Sequence, residues 1–276
     1  MATYSRLGIS MGAVYVGLTA WGLTLALWKV VVIGWVGLLV MVAGAAVSVR
    51  TSGLRRTFLP AWGYGLASGA MILSASLFLV PAAISHHPGF GGVGIGLGIL
   101  AGYVSHTLGH RLTHSDLPIE HTTLEIGAHA FAAGSIIGLV YGAMPELGLL
   151  LGLAIVSHKG PAGYAAAQRL SRQGKPISVV LLPAAGFGTA AVLTAVLPIP
   201  SDPVVNGLVF GFGAGIFLHV AMDFSPRCEV GGEVFEVTEV TTNAHQLLDR
   251  LRIHVVASMT TGALAVLLAW LVLASG

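Results

Sequence analysis

Charge is what this sequence has least of. Only 9% of its 276 residues are Asp, Glu, Lys or Arg, against about 25% in a typical soluble domain. With 55% hydrophobic residues and a mean hydropathy of +0.87, the composition excludes a large soluble domain and describes a polytopic membrane protein. A net charge of +2 leaves no electrostatic footprint for nucleic acid. The single cysteine, Cys228, rules out an intrachain disulfide. A basic leader segment followed by a small-residue cleavage site is also missing, so the first apolar run is read as a retained helix. No serine elbow, paired catalytic carboxylates, cysteine metal motif or nucleotide fingerprint stands in a workable context. The expectation is a protein that is not an enzyme.

Long apolar runs are what the chain has instead. A helix needs about 20 apolar residues to span a bilayer. On that measure the sequence predicts an all-α membrane helix bundle with about nine spans: 8–28, 30–49, 61–84, 91–108, 124–144, 147–170, 177–197, 204–223 and 254–274. Fusing the first two spans gives an eight-span alternative. With a cytoplasmic N-terminus, alternate loops collect Arg6, Arg50, Arg55, Arg56, Arg111, Arg169, Arg172, Lys175, Arg227, Arg250 and Arg252 on the inner side. Lys29 alone falls outside, and Lys159 lies within a span. Loop Lys and Arg set orientation, so the C-terminus is expected outside and the plasma membrane is the expected location. The 38 glycines fit close backbone packing between membrane helices.

An ionisable group within a membrane helix costs a few kcal/mol and by default faces a cavity or a partner. Two histidines stand this way on the consecutive central spans, His129 in Gly127-Ala128-His129-Ala130-Phe131 and His158 in Ser157-His158-Lys159-Gly160-Pro161. One turn on, Ala133 and Ala162 keep those faces narrow and add no ligand. Pro161 has no N–H for the carbonyl of Ser157, which must find another partner or line a cavity. Met71, on an earlier span, would complete a neutral, soft donor set suited to zinc or copper(I). Lys159 and Asp223 are the charges within spans, either a buried ion pair or part of an ion path. His219 shares a helix face with Asp223, a second candidate pair. His106, His110 and His114 recur every four residues, with His121 close behind, either a loose cytoplasmic metal site or a solvated helix end. His86 and His87 are a weaker candidate at the outer mouth.

The central pair resembles the ZIP (Zrt/Irt-like) family of divalent-metal transporters, particularly its bacterial branch. The family's fourth core helix carries a His-Asn-x-Pro-Glu-Gly-type motif, and here the run is His129-Ala130-Phe131-Ala132-Ala133-Gly134. Its fifth carries His-Glu-x-Pro-His-Glu or Gln-Asn-x-Pro-Glu-Gly, against His158-Lys159-Gly160-Pro161-Ala162-Gly163. Gly69-Ala70-Met71 through Pro81 resembles the second core helix, and Ala214 through Pro226 the seventh. The resemblance implies an eight-helix core from residue 30, an extra helix over 1–29, one transmembrane domain and a homodimer. It implies a carrier of divalent metal, zinc first, at Met71, His129 and His158, with release past His219 and Asp223. The family's bridging acids are replaced by Ala133 and Ala162, the residue after the fifth helix's first ligand is Lys159, and Leu182 precedes Pro183. A tethered ammonium thus stands where a second cation would sit. A non-transporting sensor or partner subunit, and a carrier of a non-metal solute, are the alternatives that these replacements leave open.

Overall fold

The computed structural model describes residues 2–51, 55–112, 121–145, 148–198, 200, 202–223 and 244–274. For 2–5, 55–57, 60, 106, 108–112, 121–126, 150, 154–155, 223, 244–248 and 273–274 it describes the backbone only. The helices are α1 (Ala2–Thr24), α2 (Trp28–Arg50), α3 (Arg55–Ser74), α4 (Val80–His86), α5 (Pro88–Leu112), α6 (His121–Ala143), α7 (Leu149–Val156), α8 (Lys159–Arg172), α9 (Leu181–Ala195), α10 (Pro203–Asp223) and α11 (Ala244–Ala274). A π-helical turn, Ala75–Leu79, joins α3 to α4, and a 3₁₀ turn, Ile177–Val180, leads into α9.

This is an all-helical polytopic membrane protein. Among the described residues seven stretches are long and apolar enough to cross a bilayer: Arg6–Thr24, Trp28–Arg50, Ala61–His86, Pro88–Ser105, Ile177–Ala195, Pro203–Met222 and Asp249–Val272. Gly127–Ala143 is apolar but shorter. The remaining expected span, 147–170, is not one helix. It breaks at Ser157-His158 into α7 and α8, because Pro161 offers no N–H to the Ser157 carbonyl. The turn still closes on its far side, where the Ala162 N–H donates to the His158 carbonyl at 3.0 Å. The last span also begins earlier than expected, at Ala244 rather than His254.

Element ends follow local chemistry. Gly174, at φ +66, stops α8 with the Lys175 N–H on the Leu170 carbonyl (2.8 Å) and the Gly174 N–H on that of Ser171 (3.1 Å), a Schellman closure. Asp202 Oδ1 accepts the N–H groups of Val204 (2.8 Å) and Val205 (3.1 Å), capping α10 ahead of Pro203. The π-helical turn lies just before Pro81, whose ring would otherwise meet the carbonyl of Leu77.

Small residues dictate which helices touch. A Cβ on Gly94, Gly98, Gly211 or Gly215 would strike the backbone of the facing helix, so α5 and α10 run parallel with backbones in contact. Gly134, Gly138 and Gly142 seat α6 against α9 in the same way, and Gly65, Gly69 and Gly262 seat α3 against α11. These pairs also run parallel. α2 lies along α7 and α8, with Gly44 meeting Gly160 and Met41 meeting Gly163. On α1, Tyr15 is fully buried, its ring lodged against Gly34 and Gly188. Its hydroxyl donates to the Val31 carbonyl at 3.2 Å, and Trp35 Nε1 donates to Thr19 at 3.0 Å.

Two bundles result. One holds α1, α2, α6, α7, α8 and α9, and the other holds α3, α4, α5, α10 and α11. Contacts between them are sparse: α3 meets α7 and α8, and α6 meets α10. α9 is the centre, with 67% of Ile177–Ala195 buried, and α1 is at the rim, with 17% of Arg6–Thr24 buried. Lys29 Nζ donates to the Pro145 carbonyl at 2.6 Å, which puts the α1–α2 and α6–α7 turns at the same end.

Candidate functional site

The two central histidines meet. The rings of His129 on α6 and His158 at the α7–α8 break lie 6.0 Å apart between centroids, edge to face at 79°. His129 is accessible, flanked by the equally accessible Ala128 and Ala132, whereas His158 is only 2% exposed. Ala133 and Ala162 are half-buried, which keeps the surroundings narrow without adding a donor. An accessible ring thus stands against a buried one where the helix breaks between α7 and α8.

Lys159 follows His158 directly and is also 2% exposed. Its Nζ lies 4.9 Å from the centroid of the Phe187 ring on α9, within cation–π range. No carboxylate among the described side chains pairs with it; Asp249, on α11, pairs with Arg252 at 3.3 Å. The expected partner Asp223 ends α10, and its side chain lies outside the described residues.

Met71 is buried on α3 at 1% exposure, in the other bundle from the two histidines. The neighbouring Gly69 presses α3 onto Met259 of α11, and the carbonyl of Ala221 accepts a hydrogen bond from Ser68 at 2.5 Å. The predicted Met/His/His set therefore draws its members from both sides of the seam. His219 is buried in the α5–α10 interface, its ring 5.8 Å from Tyr103 and covering Gly102. It belongs to the other bundle from the His129–His158 pair. The side chains of His106, His110 and His121, and all of His114, lie outside the described residues. Among the described residues no three His, Cys, Asp or Glu side chains gather as a metal cluster.

At the turn between α4 and α5, His86 stacks on Phe210 at 5.6 Å and 13°, and His87 meets Phe90 edge-on at 4.9 Å. Neither ring is presented as an open ligand pair. The sequence reading missed His254, whose Nδ1 accepts from Trp62 Nε1 at 3.0 Å while Phe58 covers its face. The phase of Trp62 and Phe58 on one helix stripe gave the only hint of it.

These features define a class: a polytopic helical membrane protein built of two helix bundles, with an imidazole pair in one of them. Compared with known proteins, the sequence matches no protein-family model and no curated protein.

Proposed function

We propose that the protein is a membrane carrier of a divalent transition-metal ion, zinc first, on a ZIP-like plan. The observation that carries this reading is the meeting of His129 and His158, one accessible and one buried, beside a broken helix. Neutral imidazole is the commonest zinc ligand, and Met71 from the facing bundle would add a soft third donor. Carriers of this kind bind cargo near the membrane midplane where helices are discontinuous, and move one bundle against the other. The sparse seam and the α7–α8 break both suit that motion.

Nine crossings account for the parallel pairing of α6 with α9, since α7 and α8 together must then make one crossing between them. A cytoplasmic N-terminus, an external C-terminus, the plasma membrane and a homodimer belong to the same proposal. Lys159 takes the place of a second metal, so one ion is carried per cycle.

Zinc influx into proteoliposomes tests this. Saturable flux is expected from the wild type, with at least a tenfold loss in His129→Ala and in His158→Ala and unchanged protein incorporation. Absence of wild-type flux for zinc, iron(II), manganese and copper(I) would refute transport and leave a non-transporting scaffold. Flux unchanged in both variants would refute the site.

A further inference from the structure

The seam between the two bundles is not closed along its whole length. Each bundle draws its own helix away from it: Gly134, Gly138 and Gly142 hold α6 onto α9, while Gly211 and Gly215 hold α10 onto α5. Across the seam α10 offers Gly213, whose Cβ position lies 3.4 Å from Val140 Cγ2 and 3.7 Å from Ile136 Cγ2. Beside that contact a cleft of about 280 Å³ opens among α5, α6 and α10. Ile136 and Val140 are its buried floor, Leu139, Val209 and Phe212 its half-buried walls, and Leu97, 50% exposed, its rim.

Chemistry names the occupant. None of the described residues that line the cleft has a polar side chain, and backbone groups within a helix are bonded to one another. Water needs about two to four polar partners to stay in such a space, so the cleft excludes it. Left empty, the cleft forfeits the dispersion contacts of its lining atoms. Its depth is that of hydrocarbon. Val209 and Phe212 lie past Pro203, where a membrane span begins, by about 9 and 13 Å along the helix axis. That is within one half of a hydrocarbon core about 30 Å thick. At this depth the bilayer itself supplies methylene chains, as apolar as the side chains that would receive them. The exposed Leu97 leaves the cleft open sideways, so a chain reaches it without crossing protein.

We infer that the cleft is a binding site for an acyl chain of a membrane lipid. The chain lies between α6 of one bundle and α5 and α10 of the other, and continues their contact beyond Val140 and Gly213. The site requires the membrane fold and not the carriage of an ion.

The test is photolabelling of the full-length protein in maltoside micelles, read by mass spectrometry of the digested protein. The probe is a phosphatidylcholine that carries a diazirine midway along one acyl chain. Labelling is expected to saturate with added lipid, to concentrate on Leu139, Val209 and Phe212, and to fall when unlabelled phosphatidylcholine competes. Val209→Phe, which fills the cleft, should cut labelling of Leu139 and Phe212 at least fivefold. Val104→Phe, on α5 at a position 54% exposed and off the cleft, should leave it within twofold. If Val209→Phe fails to fold, Leu139→Phe takes its place, read at Val209 and Phe212. Labelling spread without saturation over the exposed faces of α1, α5 and α11 would reduce the lipid to a general coat and overturn the site. So would a filled cleft that labels like the wild type. A second copy of the chain is the competing occupant. Oxidation of Leu97→Cys in a Cys228→Ser background should leave a monomer, and a disulfide-linked dimer would seat that copy over the cleft and overturn the proposal.

Discussion

A lysine ammonium taken out of water loses several kcal/mol of hydration, yet Lys159 lies buried with only the Phe187 ring described beside its Nζ. A cation–π contact returns about 2 kcal/mol when desolvated, less than the loss. Replacing a buried ionic group by an apolar one of similar volume is often neutral or stabilising by about 1–4 kcal/mol. Lys159→Met should therefore melt at or above the wild-type temperature. A fall of several degrees would instead reveal a strong counter-charge, with Asp223 the first to examine, and would favour a locked, non-transporting core. His158 poses the converse case, a buried group whose worth lies in binding. His158→Ala should change the melt far less than it changes zinc flux, and an equal loss in both would make it a packing residue.

At the level of the element, glycine decides what can approach what. A Cβ at Gly98 would meet the carbonyl of Phe212 and lie 2.9 Å from Gly215 Cα, both of them backbone that cannot step aside. Gly98→Ala should cost about 1–3 kcal/mol, the usual range for overpacking, read as a lower unfolding midpoint in micelles or bilayers. Gly96, two residues earlier, meets nothing within 4 Å. Gly96→Ala should be neutral or stabilising by about 0.4–1 kcal/mol, because alanine narrows the unfolded ensemble. The sequence spelled out both runs of glycine and the apolar spans that hold them, since length and hydropathy act locally. It could not say which face of α5 meets α10, because Gly94, Gly96 and Gly98 read alike until a neighbour is in place. The α7–α8 break was half legible: Pro161 announced a lost hydrogen bond but not a two-residue interruption. The contact of His129 with His158 was legible from their places on consecutive antiparallel spans. The burial of Gln168 was not, because a glutamine near a helix end is ordinary until its neighbours are in place.

The whole molecule is two bundles that share an apolar seam, and that division was beyond the reach of the sequence. Apolar residues serve equally within a bundle, across a seam and against lipid, and all three uses lack a distinguishing periodicity. If cargo moves by displacement of one bundle against the other, a covalent bridge across the seam must stop it. A bridge of the same length inside a bundle must not. Gly213 of α10 offers a Cβ position 3.4 Å from Cγ2 of Val140 on α6, across the seam, so a sulfur in the place of that γ carbon would lie within reach of one on Gly213, as a disulfide requires. Gly22 of α1 offers one 3.4 Å from Cγ1 of Val192 on α9, within the first bundle. In a Cys228→Ser background, oxidation of the Val140→Cys/Gly213→Cys protein should cut zinc flux at least tenfold, with recovery on reduction. Oxidation of the Gly22→Cys/Val192→Cys protein should leave flux within twofold, because Tyr15 already ties α1 to that bundle. Flux that survives the first bridge would mean the seam does not move during transport, and access to the His129–His158 pair would then have to come from the α7–α8 break alone. Flux lost to the second would make α1 an independent moving part, contrary to its packing around Gly34 and Gly188.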